Sequence, residues 1–553
     1  MYKNKLPQEK LFVEYCDKIP QDEKHLKLCW NKEEGCYEWN DSTKTKPSIS
    51  NGQIVNPKKS LLLASGAYSG EIIQHLLDGY SVSIVLRVET KDGKMVLNLH
   101  TSTVDSDKQL YENEKNGQRL KSGLFTSDMP WWKKILGGNL FKFLCGELAI
   151  ERETAHQPIY YPVENSIIYC SGSKYHAYKH DSNKEEFAIE KNGWVPNLPI
   201  KKYLCMHPHY DQVNKNLLTY TFVHSIFKKK TSITFYEFGE NSSAPLLTEY
   251  VINDRAALHM FGFTKNYYIL FSNSLALEKC GQFKILFGKS LLRTLDDTFW
   301  DDLVIHFIPR PNSNCKTFSV DTNLKGFVYH TINCFENSNN EIVVDAFVSD
   351  LNALRESSQF ELEFDKEVYD NNGDPHRFLI RIPDGTDEDN IKDPCKSKLS
   401  SSIIDSTIDF HCINNNVCGL KYKYSWIVGH DRHRDENGNV IKMVSSLYKI
   451  NILEENLDFD SMNTVINSAH SNQDWTDEDV SCYLRTPLFV PAEGGVEEDD
   501  GYIFAWSYEF ENSDNMSANI LIFSAKDLEL LMKIPVPKEC HIPYSVHSWI
   551  YPF

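Results

Sequence analysis

The feature that most constrains this chain is a succession of short β-branched and aromatic runs, each closed by a turn. SVSIVLRVETKDGKMVLNLHTS (81–102), KTSITFYEF (230–238), NYYILFSNSLAL (266–277), NEIVVDAFVSD (340–350) and YIFAWSYEF (502–510) are of this kind. They often alternate apolar with polar side chains and are bounded by Gly, Asn and Asp, the pattern of half-buried strands. KDGK at 91–94 predicts a tight hairpin between two such runs. NGQ (51–53), NNGD (371–374) and ENGN (436–439) mark further turns. Helical periodicity is scarce and best at 130–145 and 348–358. With no second composition regime along 553 residues, the pattern predicts one all-β unit over 1–553. A β-propeller of about seven four-stranded blades uses most of that length. No per-blade repeat motif sets the count.

Composition narrows the function. Hydrophobic residues make up 41% and aromatics 12%, which suits a β-rich core or an apolar cavity. The formal net charge of -19 offers no basic field to offset phosphate repulsion, so nucleic acid is excluded as a general partner. The 14 cysteines are scattered without a CxxC pair, which predicts reduced thiols and a cytoplasmic setting. MYKNKLPQEKLF has no apolar core of a secretory signal, and no run of 18 apolar residues predicts a spanning helix.

Nineteen histidines invite a metal hypothesis, although most histidines are ordinary half-buried or surface residues. The absence of HExxH argues against a helix-borne zinc site. Four histidines share another context, at strand edges among apolar residues. They lie in LCMHPHYD (204–211), ALHMFGFTKNYYILF (257–271), FVYHTINCFE (327–336) and IPYSVHSWI (542–550). A closed propeller brings such distant strand ends to one axial channel. Imidazoles suit iron, copper or zinc, and spacing alone leaves the metal open.

These segments resemble the carotenoid cleavage oxygenases. That family shows HP, then H-x-F-x-x-T-x-N-Y, then F-x-H-x-x-N-x-x-E, and a final P-x-x-x-H. The chain carries HPHYD (207–211), HMFGFTKNY (259–267), YHTINCFE (329–336) and PYSVH (543–547) in that order. SGEIIQHLLDGYSVSIVLR (69–87), EEDDGYIFAWSYE (497–509) and ILIFSAKDLELLMKIPVP (520–537) extend the likeness from about residue 55 to the end. The resemblance implies an all-β, seven-bladed β-propeller with a helical and loop cap over its top face. It implies Fe(II) bound by His207, His259, His330 and His547, with two octahedral positions open. It also implies a dioxygenase that adds dioxygen across a conjugated double bond of a carotenoid or apocarotenoid, giving two carbonyl products.

Alignment also shows departures. Iron-bound imidazoles usually donate their other N–H to carboxylates. The family's three glutamate positions fall here at His180 in KYHAYKHDSN (174–183), Asp409 in STIDFHCIN (406–414) and Thr486 in LRTPLFV (484–490). Only Asp409 keeps a carboxylate. His176, His180 and His209 are alternative participants, with a polar surface role as the simpler reading. Tyr68 in LLLASGAYSG (61–70) stands at an aromatic position, either lining the substrate tunnel or packing the first blade.

One segment has the composition of an interfacial anchor. DMPWWKKILGGNLFKFLCGEL (128–148) joins Trp131, Trp132 and Phe141 to three lysines, and its Cys145 is a candidate for acylation. It predicts peripheral contact with a membrane around the mouth for a lipophilic polyene; the plainer alternative is a buried cap helix. YHTINCFE and this patch are closest to the animal-type branch, which contains carotenoid oxygenases and the retinoid isomerohydrolase. Alternative functions are therefore a retinoid isomerase on the same iron site, or a propeller that binds carotenoid without catalysis. The acidic run EGGVEEDDG (493–501) reads as a solvated turn.

Overall fold

The computed structural model describes residues 24–31, 36–39, 57–68, 80–103, 158–161, 166–171, 174–180, 189–191, 203–205, 207–225, 230–239, 245–253, 256–274, 302–349, 374–382, 395–398, 407–434, 440–451, 466–470, 481–512, 515–537, 542 and 545–552. They are almost entirely strand. The exception in regular structure is a 3-10 turn at Asn415–Val417.

The described strands form six sheets, and one of them is double. Its halves, Thr407–Cys412 to Ile466–His470 and Ser481–Pro491 to Leu530–Pro535, are joined by a single parallel pair, Val444 with Cys482. Separating them gives seven antiparallel blades. Blade one holds the five strands from Lys24–Asn31 to Lys94–Thr103 together with the last strand, Ser545–Pro552. Blades two to five begin at Ile159, Tyr203, Ala256 and Phe327, and the two halves of the double sheet are blades six and seven. Ser545–Pro552 pairs with Ser60–Tyr68, so the chain's end closes the ring on its first blade.

Local chemistry explains the hairpins. Lys91 pairs with Lys94 across Asp92 and Gly93, whose φ values are 53° and 70°. Two positive φ values make the primed turn that matches strand twist, which the Asp-Gly pair of KDGK favours. The alternating runs then bury their apolar sides between neighbouring blades. One cluster joins Leu28, Leu86 and Leu97 of blade one to Phe504, Ile520 and Met532 of blade seven. Another joins Phe235 of blade three to Phe261 and Tyr268 of blade four. Each fully buried side chain of this size stabilises the ring by about 2 kcal/mol.

Buried polar pairs complete the seams. Arg310 of blade four binds Glu237 (2.7 Å) and Asp211 (2.8 Å) of blade three. Tyr422 of blade six donates to Asp345 of blade five at 2.7 Å, and Arg377 holds the same carboxylate at 2.7 Å. The acidic run departs from its expectation in its second half. Asp499 pairs with Lys449 of blade six at 2.6 Å, and Glu498 accepts the backbone N–H groups of Lys423 and Tyr424. Glu498 and Asp499 thus form a seam between blades six and seven, while residues 493–497 are the exposed turn expected. Of the helical stretch expected at 348–358, Val348 and Ser349 end the strand Glu341–Ser349, and the rest lies outside the described residues. So does the cap segment 128–148.

Candidate metal centre

Three histidines sit where the innermost strand of a blade is interrupted. In blade three, Tyr203–Leu204 and His209–Asp211 both pair with Asn216–Ser225, and His207 occupies the gap between them. In blade four, His259 lies between Ala256–Ala257 and Phe261–Phe263, which both pair with Tyr267–Ser274. In blade five, the register of Phe327–Glu336 slips between Val328 and Thr331, and His330 lies in the slip. Such irregularities bend a strand and re-aim its side chain. Here they turn three imidazoles toward one point.

The ligand atoms of His207, His259 and His330 all lie within 4.8 Å of one another. Nε2 of His207 is 3.0 Å from Nε2 of His259. Two nitrogens bound at right angles to one ion, each at about 2.1 Å, stand about 3 Å apart. The ring of His330 lies 4.8 Å from that of His207 and 5.4 Å from that of His259, centroid to centroid. A set of imidazoles selects a first-row transition ion over calcium or magnesium, which take oxygen ligands. The donor set and its spacing fit such an ion.

The surroundings hold these rings in place. The backbone N–H of His207 donates to Sγ of Cys205, whose thiol burial pushes up to about 12. Tyr220 donates its hydroxyl to the His259 carbonyl at 3.3 Å. The N–H of Thr331 meets Sδ of Met260 at 3.3 Å, linking the interrupted strands of blades four and five. His209 donates Nε2–H to the Phe261 carbonyl at 2.7 Å, so that nitrogen is committed to the backbone. Burial lowers its pKa to about 4.

The other residues singled out in the sequence fall at informative backbone positions. His547 pairs with Ser65 on the innermost strand of blade one, beside a register slip, and its side chain lies outside the described residues. Asp409 sits in a slip between Ile408 and His411 on the innermost strand of blade six. Thr486 sits in a slip between Arg485 and Leu488 on that of blade seven. The irregularity therefore recurs around the ring. His180 departs from this pattern. It ends Lys174–His180, the third strand of blade two, whereas the innermost strand there is Ile159–Tyr161. Local alignment placed it with Asp409 and Thr486; the backbone separates it from their ring. Tyr68 pairs with Tyr80 at the end of its strand. The side chains of Tyr68, His180, Asp409 and Thr486 lie outside the described residues, as do Trp131, Trp132, Phe141 and Cys145 altogether.

Several non-histidine residues of these motifs join neighbouring blades. Thr264, Asn266 and Glu336 form one half-buried clamp between blades four and five. Asn333 donates to the carbonyls of Val417 and Leu420 and accepts from Gly419 N–H, which ties blade five to blade six. The signal was present, because each residue lies three to seven positions after one of the clustered histidines in its motif.

Comparison with known proteins agrees with this arrangement. A family model described as retinal pigment epithelial membrane protein matches residues 65–551. An apocarotenoid-15,15'-oxygenase of Synechocystis is 25% identical over 302 residues, covering 53% of this chain and 52% of the relative. Carotenoid cleavage dioxygenase 7 of Arabidopsis thaliana is 23% identical over 385 residues, covering 64% of this chain and 58% of the relative. The match thus spans little more than half the length of these curated relatives. A crystal structure of cobalt-substituted Synechocystis apocarotenoid oxygenase superposes with a TM-score of 0.70 at 17% identity, over 99% of both chains, and shows the same fold. On the match to residues 65–551, the chain belongs to the family of the retinal pigment epithelial membrane protein and the carotenoid cleavage oxygenases.

Proposed function

We propose that this chain is an iron-dependent dioxygenase that cleaves a conjugated double bond of a carotenoid or apocarotenoid, with dioxygen as co-substrate. The observation that carries this reading is the 3.0 Å approach of His207 Nε2 to His259 Nε2, with His330 beside them. The names of two relatives support the substrate class. Bound iron would supply the oxygen chemistry. The chain's own residues orient the reactants. His207, His259 and His330 would hold the ion, with His547 as the fourth ligand that the resemblance implies. Tyr329 and Phe327 stand 5.1 and 6.4 Å from the His259 ring, centroid to centroid. They form an aromatic wall that suits a flat polyene and displaces water.

The test is purification without oxygen, metal analysis, and then addition of an apocarotenoid with dioxygen. One iron per chain, dioxygen uptake and two carbonyl products are expected. Iron-loaded protein that consumes no dioxygen overturns the reading, and isomerised product without uptake would replace it with a retinoid isomerase.

We also propose that residues 128–148 hold the protein on the cytoplasmic face of a membrane. The support is the sequence, which sets Trp131, Trp132 and Phe141 beside Lys133, Lys134 and Lys142. Replacing Trp131, Trp132 and Phe141 together by Ser should release the protein from anionic liposomes in a sedimentation assay. Unchanged sedimentation overturns this part.

A further inference from the structure

We propose that His209 is a positioning residue for the metal centre, whose hydrogen bond to the Phe261 carbonyl sets the spacing of His207 and His259. The inference rests on the three-histidine reading of the site and deepens it.

His209 opens the strand His209–Asp211, two residues after His207. Phe261 opens Phe261–Phe263, two residues after His259. The two segments belong to different blades and do not pair as strands, so no ladder fixes their distance. The imidazole of His209 spans the gap, with Nε2 at 2.7 Å from the Phe261 oxygen. Its ring stands edge-on to Phe261, with centroids 4.7 Å apart, and is flanked by Phe263 at 5.5 Å. These rings restrict its rotation. Pro208 stiffens the link back to His207 by fixing φ. Displacement of Phe261 would therefore carry His259 with it, relative to His207.

A second tie lies further along the same segments. Arg310 binds Asp211 at 2.8 Å and donates to the Thr264 carbonyl at 3.0 Å. Asp211 ends the His209 strand, and Thr264 follows the Phe261 strand directly. The arginine joins the far ends while His209 joins the ends next to the ligands. The Tyr220 hydroxyl also reaches the His259 carbonyl, at a longer 3.3 Å. A metal bound at about 2.1 Å tolerates little change in ligand spacing, so the short bond of His209 bears on affinity more than the distant arginine does.

The test replaces His209 with Phe, which keeps an aromatic ring and removes the donor, and with Gln, whose amide nitrogen can take the place of Nε2. Cobalt(II) is the probe, read by chelator competition and by its visible spectrum. His209→Phe should bind cobalt about 10- to 100-fold more weakly, with altered bands, and His209→Gln should recover most of the affinity. If the Phe ring prevents folding, His209→Met makes the same deletion with a flexible side chain. Folded Phe or Met variants with wild-type affinity and spectrum overturn the proposal, as does equal loss in the Gln variant. Wild-type protein that binds no cobalt instead overturns the three-histidine site itself, which separates the two failures.

Discussion

Glu336 receives two hydrogen bonds from Asn266, one from its backbone N–H at 2.9 Å and one from its side-chain Nδ2 at 2.7 Å. Thr264 adds a third through its hydroxyl at 2.5 Å. These residues fill the polar positions of two motifs whose histidines could hold a metal, and their work is to lock blade four to blade five. Glu336→Ala leaves three donors without their acceptor, at a cost of about 3 kcal/mol. The urea midpoint should fall accordingly. A midpoint within error of wild type would show that water replaces the carboxylate freely.

The ligands themselves should behave oppositely. His259→Ala removes one of the two nitrogens that stand 3.0 Å apart, so metal content should drop below one tenth of wild type. Stability of the metal-free protein should change by about 1 kcal/mol or less, because the ring is held by strand ladders and inter-blade clusters. Metal analysis beside circular dichroism separates the effects. A variant that retains a full equivalent of metal would remove His259 from the ligand set.

Acid should act through a different histidine. Nε2 of His306 lies 2.6 Å from the Ser272 hydroxyl, Nδ1 lies 2.9 Å from that of Ser319, and burial lowers the pKa from 6.5 to about 4. The folded state thus favours the neutral ring, while the unfolded chain takes up its proton near pH 6.5. Stability from this group is complete above pH 6.5 and is lost as the pH falls toward 4, by about 3 kcal/mol over that window. His306→Gln should make that part of the stability profile shallower in urea titrations between pH 7.5 and 4, with the buried His209 accounting for part of what remains. A variant as acid-sensitive as wild type would place the loss at other groups.

Local features were legible in the sequence. KDGK names its own turn, because positive φ at Asp92 and Gly93 is a property of those residues. The strands around 230–238 and 502–510 follow from their runs of β-branched and aromatic residues. The clustered His207, His259 and His330 stood out through the motifs that surround them, since strand pairing alone does not reveal which His faces its neighbours. What could not be read depends on distant partners. Arg310 and Glu237 are 73 residues apart in the chain, and nothing local tells a buried pair from two surface charges. His180 fell off the inner ring for a similar reason: short local similarity does not reveal which strand of a blade it sits on.

The acidic run 493–501 gives the sharpest contrast between a charge that is solvated and one that is structural. Lys449 is 7% exposed, and its ammonium lies 2.6 Å from Asp499, 2.9 Å from the Lys526 carbonyl and 4.2 Å from the centroid of the Tyr424 ring. Removing the carboxylate leaves a buried cation with weaker partners, which costs about 3 kcal/mol or more. Asp499→Ala should therefore lower the urea midpoint strongly, and salt should not mimic the effect, since screening reaches buried pairs poorly. Glu493, in the same run, is exposed, so Glu493→Gln should stay within about 0.5 kcal/mol of wild type. Lys449→Met combined with Asp499→Ala should recover part of the loss, because it removes the stranded charge along with its partner. Equal small effects from Asp499→Ala and Glu493→Gln would return the whole run to the solvent.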